Sequence, residues 1–368
     1  VTRRARLTEP RAGDPFARVA GLTVLLRQLL TLQDAGIEEV EVEGVPAGRL
    51  PEDPRLTTRI GPASAATAQG FAIRARIGLL WHRGLPARLV QAGYQGDIEA
   101  APLQPGEFVI PAADDAARRK AEALLFRSLI KPTDGLISRA LNRPISLRVT
   151  RLLINTSLTP NQMTLIAGVC GFAAIALVAV GGAAWLVPGA VLLQVQSILD
   201  GCDGEISRLK YIRSRLGEWL DQVLDDVVNV GFFAATGWAL HQAGSRIALP
   251  IAIVGTAFHL IYQAALYAAL ITRGRGSGSI TSIRWWGQAG HIGPSEGSPR
   301  SGFVRVVKET TEALMRRDFF TFLYLPAALL GVTVVALGWC AFIFVGSGLA
   351  TGLQWLVGGG PEPAKRTS

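Results

Sequence analysis

The sequence predicts a mainly α protein, a six-helix transmembrane bundle preceded by a small cytoplasmic α/β domain. Three observations carry this. The chain is apolar for its length, with 49% hydrophobic and 18% charged residues among 368 and a mean hydropathy of +0.32. The apolar residues are bunched into long uncharged runs beyond residue 160, whereas residues 1–125 are mixed in polarity and punctuated by Pro and Gly.

In the first region, Pro15 to Gly36 has the apolar spacing of a helix ending at a glycine, and Ile37 to Val42 alternates like a strand. Phe108 to Pro111 reads as a last strand, and the segment from Ala112 as a capped helix running to about Ile130. These bound a domain at 1–130. Leu136 to Leu153 interleaves Arg139, Arg143, Arg148 and Arg151 with Leu, Ile and Val, the pattern of a helix lying in the membrane interface and broken at Pro144. It belongs to an interfacial segment, 131–160.

The membrane part follows at 161–360, with a short tail at 361–368. Met163 to Leu199 holds no charge and is nearly twice what a core of about 30 Å needs, so it turns once near Gly181-Gly182. Val227 to Gln242 gives a third span and Ile247 to Thr272 a fourth. Uncharged Phe319 to Gly360 holds two more, with a turn near Gly338.

Basic residues cluster in two connections. Arg208, Lys210, Arg213 and Arg215 lie between spans two and three; Arg273, Arg275, Arg284, Arg300, Arg305 and Lys308 lie between four and five. Both termini are therefore expected in the cytoplasm. The net charge of +9 is met by these loops and by anionic headgroups, without nucleic acid as a partner. Gly274 to Arg300, rich in Gly, Ser and Arg, predicts a mobile loop. Val304 to Arg317 predicts a surface helix whose Arg316-Arg317 meets an acceptor phosphate or lipid headgroups. No signal peptide is read in Val19 to Leu32, which Arg27 and Gln28 interrupt, and Val1 in place of methionine leaves room for residues upstream. Cys170, Cys202 and Cys340, and His82, His241, His259 and His291, form no metal-binding spacing.

The chemistry is concentrated between Asp200 and Asp225. Asp200 and Asp203 are spaced i, i+3 and Asp221 and Asp225 i, i+4, so each pair projects from one face of a helix. Four such carboxylates brought together repel one another unless cations compensate, and oxygen-only ligation suits Mg²⁺, Mn²⁺ or Ca²⁺. Gly204 allows close backbone approach, Arg208 offers a planar fork for phosphate, and Gly217 clears space one turn before Asp221. Metal plus phosphate points to phosphoryl transfer.

These residues resemble the signature of the CDP-alcohol phosphatidyltransferases, D-x2-D-G-x2-A-R-x8-G-x3-D-x3-D, with Ser207 where alanine is usual. The resemblance covers roughly residues 130–358. It implies six transmembrane helices around a site open to the cytoplasm, an inner-membrane location and a homodimer. It implies Mg²⁺ or Mn²⁺ held by Asp200, Asp203, Asp221 and Asp225, with Asp225 also the base that takes the acceptor's proton. Gly204, Arg208, Ser214 and Gly217, with Pro160 and Asn161, are placed by the resemblance around the nucleotide of a CDP-linked donor. Read by itself, Thr159-Pro160-Asn161 is a turn before a span.

The helix and strand of residues 15–42 resemble the start of sugar-phosphate nucleotidyltransferases, a domain that some inositol-phosphate-type members carry ahead of the membrane part. Val1 to Asp14 lacks the G-x-G-T-R-like loop that such an enzyme needs to cradle phosphates, so the domain is expected to be non-catalytic. An active cytidylyltransferase, giving a bifunctional enzyme, is the alternative. The donor is CDP-diacylglycerol or CDP-inositol, and the acceptor an alcohol such as inositol phosphate. The rival class, a transporter using intramembrane acids, fits less well, because all four acids lie in one motif instead of being scattered among spans.

Overall fold

A computed structural model describes residues 3–9, 14–63, 71–131, 134–274, 278, 282–284, 310–358 and 362–363. In the N-terminal part, β1 (Arg4–Thr8) is followed by a tight hairpin of β2 (Arg18–Val19) and β3 (Leu22–Thr23), then α1 (Val24–Asp34), β4 (Glu39–Val42) and β5 (Arg59–Pro62). There follow β6 (Ile73–Arg76), β7 (Leu79–Trp81), α2 (Leu85–Gln91), β8 (Gly96–Asp97), β9 (Val109–Pro111) and α3 (Asp115–Arg127). Five strands make one parallel sheet in the order β5-β4-β1-β6-β8, and β7 pairs antiparallel with β9. In the sheet's centre, Leu7 stands opposite Val42 on one side and Ala75 on the other, all buried, and Leu25, Leu29 and Leu32 of α1 close over them.

The helix expected over Pro15–Gly36 begins only at Val24. Ala20 and Gly21 take positive φ to turn the hairpin, and the Thr23 hydroxyl caps α1 by accepting from the Leu26 amide. Gly36 ends the segment at φ +81, as its position suggests.

Helix α4 (Arg143–Leu153) follows a π-turn at Ser138–Asn142, where the Arg143 amide reaches back to the Ser138 carbonyl. Pro144 has no amide to give, and this single wide turn absorbs the loss without ending the helix. One face of α4 docks on the membrane part: the fully buried Glu205 carboxylate accepts from Arg143 (2.8 Å), Ser146 (2.6 Å) and Thr150 (2.6 Å). Arg148 and Leu152 are exposed on its other side, while the Arg151 guanidinium lies over the Phe126 ring of α3 at 4.8 Å.

The remaining helices are α5 (Pro160–Gly181), α6 (Leu186–Lys210), α7 (Arg215–Gln242), α8 (Ala248–Arg273), α9 (Arg317–Leu329) and α10 (Thr333–Gly358). Four stretches are long and apolar enough to cross a membrane: 160–210, 215–242, 248–273 and 333–358. The first, 51 residues long, contains both α5 and α6 and reverses at Gly182, φ +67. The protein is thus a multi-pass membrane protein. The sixth helix, α9, has 13 residues, and at about 1.5 Å per residue it falls short of a core of about 30 Å.

The turn expected near Gly338 lies seven residues earlier. Gly331, at φ +71, ends α9, with the Gly331 amide donating to Ala328 and the Val332 amide to Ala327, whereas Gly338 is inside α10. Of the expected surface helix, residues 310–314 are helical; 304–309 lie outside the described residues, as does most of the Gly274 to Arg300 segment.

Close packing comes from small residues: a Cβ on Gly171 would collide with Val228, and one on Gly237 with Ala252. Outward-facing apolar side chains recur every seventh residue of α10, at Val335, Phe342, Leu349 and Leu356. Such a stripe suits hydrocarbon.

Three arginines of the N-terminal part satisfy the last carbonyls of α6. Arg83 donates to Arg208 (3.2 Å), Arg27 to Leu209 (3.0 Å) and Arg55 to Lys210. Those carbonyls are the unpaired, partially negative end of a helix, so cations are the right partners. Tyr211, left-handed at φ +55, then turns the chain toward α7. Its ring lies under Arg83 (4.4 Å), and its hydroxyl meets Thr31 Oγ1 at 2.7 Å. Since Thr31 donates its own hydrogen to the Arg27 carbonyl, Tyr211 is the donor to Thr31.

Candidate active site

The site forms where three helix ends converge. Thr159 caps α5 in a reciprocal box with Gln162, placing Pro160 and Asn161 in its first turn; the expected bare turn is an N-terminus. Ser214 caps α7 by accepting from the Gly217 amide at 3.2 Å. First-turn residues of both helices line one cleft, and two helix N-termini at one cleft suit negative charge.

That cleft, about 150 Å³, is lined by Pro160, Asn161, Thr164, Asp203, Gly204, Ser207, Ser214, Gly217 and Asp221, among others. Five of the six positions expected around the nucleotide, Pro160, Asn161, Gly204, Ser214 and Gly217, therefore line one cleft, together with Asp203 and Asp221 of the four expected metal ligands. The sixth, Arg208, packs beside Gly204 but lines a different cavity. Ser207, the departure from the motif, donates to the Ile212 carbonyl (2.6 Å) and so holds the turn after α6. A Cβ on Gly217 would run into Asn161 Oδ1. Gly217→Val is therefore expected to close the cleft and weaken nucleotide binding at least tenfold while the thermal melt stays near wild type, measured by titrating CDP in Mg²⁺-containing detergent.

Asp200, Asp221 and Asp225 offer carboxylate oxygens that all lie within 4.8 Å of one another. Asp203 stands outside this trio and accepts a hydrogen bond from Thr164. Three converging carboxylates with no soft ligand suit a hard divalent cation such as Mg²⁺ or Mn²⁺. The fit has a direct sign. Arg317, the first residue of α9, donates to Asp200 Oδ2 at 2.7 Å and is paired with Asp225, so a cation already bridges two of the three. Asp225 is buried and also accepts from Gln196 Nε2 at 3.2 Å.

On the other side of Asp200 lies a second small cavity, about 100 Å³, lined by Ser138, Asn142, Arg143, Ser197, Asp200 and Arg317. Gln194 donates to Asn142 (2.6 Å), and Asn142 to Ser197 (3.1 Å), fixing its polar floor. Sequence reasoning missed Thr164, Gln194, Gln196 and Ser197. Their signal was present: they are among the few polar side chains in an otherwise apolar run.

A family model described as CDP-alcohol phosphatidyltransferase matches residues 157–345, more than half of the chain and all four acids of the motif. The chain belongs to this family. Among curated relatives of this CDP-alcohol phosphatidyltransferase are a "Bifunctional IPC transferase and DIPP synthase" of Aquifex aeolicus, 40% identical over 132 residues, and its namesake in Thermococcus kodakarensis, 39% identical over 122. The matches cover 36% and 33% of this chain and 29% and 27% of those relatives, so less than a third of their length is matched. A "Phosphatidylinositol phosphate synthase" of Corynebacterium glutamicum is 28% identical over 131 residues, 35% of this chain and 57% of the relative.

Proposed function

We propose that this membrane protein moves a substituted phosphate from a CDP-linked alcohol to an acceptor alcohol and releases CMP. The observation that carries this is the convergence, on one three-carboxylate centre, of a cleft with two helix N-termini and a polar cavity flanked by Arg143 and Arg317. The first has the chemistry to hold a diphosphate, the second an acceptor that itself bears phosphate. The name "Phosphatidylinositol phosphate synthase" supports an inositol phosphate as that acceptor, and the donor in this reading is CDP-diacylglycerol or CDP-inositol.

Asp200, Asp221 and Asp225, with Asp203 on the nucleotide side, would hold one or two Mg²⁺ or Mn²⁺ ions. Such an ion supplies charge stabilisation on the diphosphate and the departing CMP. Asn161, Ser214 and the amides of α7's first turn orient the diphosphate, and Gly204 and Gly217 let it approach. Arg317 releases Asp225 and turns to the acceptor's phosphate. Asp225, oriented by Gln196, takes the hydroxyl proton as the acceptor oxygen bonds to phosphorus and the bond to CMP breaks. The basic connections support a cytoplasmic site, and in this reading the N-terminal domain serves without its own catalysis.

The test is CMP release by purified protein in detergent. CDP-diacylglycerol and CDP-inositol are offered in turn with inositol, inositol phosphate and glycerol phosphate. Release that needs both Mg²⁺ and one acceptor is the expected result; nucleotide binding with no release from any pair would sink the proposal.

A further inference from the structure

One charged cavity serves neither half of this chemistry. It has a volume of about 340 Å³ and lies between the N-terminal domain and the C-terminal end of α6. Four arginines line it: Arg27 and Arg83 from the domain, Arg208 from α6 and Arg213 from the turn before α7. Asp34 is the one carboxylate among its lining residues, and it is shared, accepting from Arg83 at 2.7 Å and from Arg213 at 3.0 Å. Burial lowers the pKa of His82, also in the wall, which favours the neutral imidazole.

The arginines are not used up by the fold. Arg27 spends both terminal nitrogens on carbonyls, yet its Nε is buried without a partner. Arg208 has two such atoms, Nε and Nη2. A buried guanidinium nitrogen without an acceptor is costly, and both residues that carry them line this concavity, where an anion would offset their charge. Just beyond the wall, burial together with nearby Arg208 and Arg143 holds the Lys131 ammonium below the usual lysine range, as surplus positive charge would. The carboxylates near these groups, Asp134 and Glu205, are engaged by Arg143.

We infer that this interdomain cavity binds a phosphate monoester, which bridges Arg83, Arg208 and Arg213 and takes over the role now filled by Asp34. Guanidinium forks match phosphate in geometry and charge, and the volume admits a phosphate on a small organic body. Its source is a soluble phosphate ester or the headgroup of an anionic lipid. The ligand joins the domain to Arg208, four residues along α6 from Gly204, so the soluble part gains a route to the nucleotide cleft.

The experiment titrates the full chain in detergent with inorganic phosphate in the presence of EDTA, which disables the metal-dependent cleft, and repeats it with short-chain phosphatidic acid. Saturable binding is expected, weakened at least tenfold in Arg83→Gln and tightened several-fold in Asp34→Asn, which removes the competing carboxylate. Arg83→Gln also removes a cap on α6 and could act by loosening the fold. The decision therefore rests on Asp34→Asn, since damage does not improve binding. Phosphate binding with this pattern assigns a soluble ligand, and the same pattern with phosphatidic acid alone assigns a lipid. No binding of either, or binding unchanged in Asp34→Asn, overturns the inference, whatever the outcome of the CMP-release assay.

Discussion

Asp225→Asn is expected to lower turnover by about 10³-fold while donor affinity changes only a few-fold. General-base catalysis contributes roughly 10²–10⁴ in rate, and an amide oxygen can still ligate a cation but cannot take a proton. The substitution keeps the volume of a buried side chain and the contact with Gln196, although the amide must turn its oxygen toward Gln196 Nε2. It also weakens the pairing with Arg317, which should not matter once that arginine faces the acceptor. Single-turnover CMP release alongside equilibrium CDP binding separates the two quantities. A loss of CDP binding as large as the loss of rate would reassign Asp225 from base to ligand alone.

Asp200→Asn is expected to do the opposite, abolishing metal-dependent nucleotide binding and with it all activity. Asp200 is the point shared by the carboxylate trio, the Arg317 pairing and the acceptor cavity. Removing even a group that supports a metal ligand typically costs 10–100-fold in affinity, so loss of a direct ligand should exceed about a hundredfold. Mg²⁺-dependent protection of the protein against thermal unfolding reads this without turnover. A variant that keeps the wild-type Mg²⁺ response would exclude Asp200 from the metal site.

Much of this centre is visible in the chain because its parts are local. The motif fits on two helices joined by a short turn, and helical periodicity alone brings Asp221 and Asp225 to one face. Arg317 and the cavity beside Asp200 were harder to place because they join α4, α6 and the start of α9: Arg143 is 62 residues from its α6 partner and Arg317 is 117 from Asp200, so their meeting depends on packing. The split of the last apolar run went wrong for a related reason. Dividing it evenly puts the turn at Gly338, but a glycine in mid-helix needs no special backbone, while Gly331 takes the positive φ that ends α9. The uneven split leaves α9 short, with Arg317 at its first position.

The three arginines that hold the end of α6 change what the N-terminal part means. Such a domain is easily taken for a relic, a passenger left after its phosphate loop was lost. Yet the hinge at Tyr211, between the two helices that carry every acid of the motif, hangs from Thr31 and lies under Arg83. The domain is a splint: it sets the angle at which the two helices that carry the motif's acids face each other, and that service is independent of any chemistry of its own.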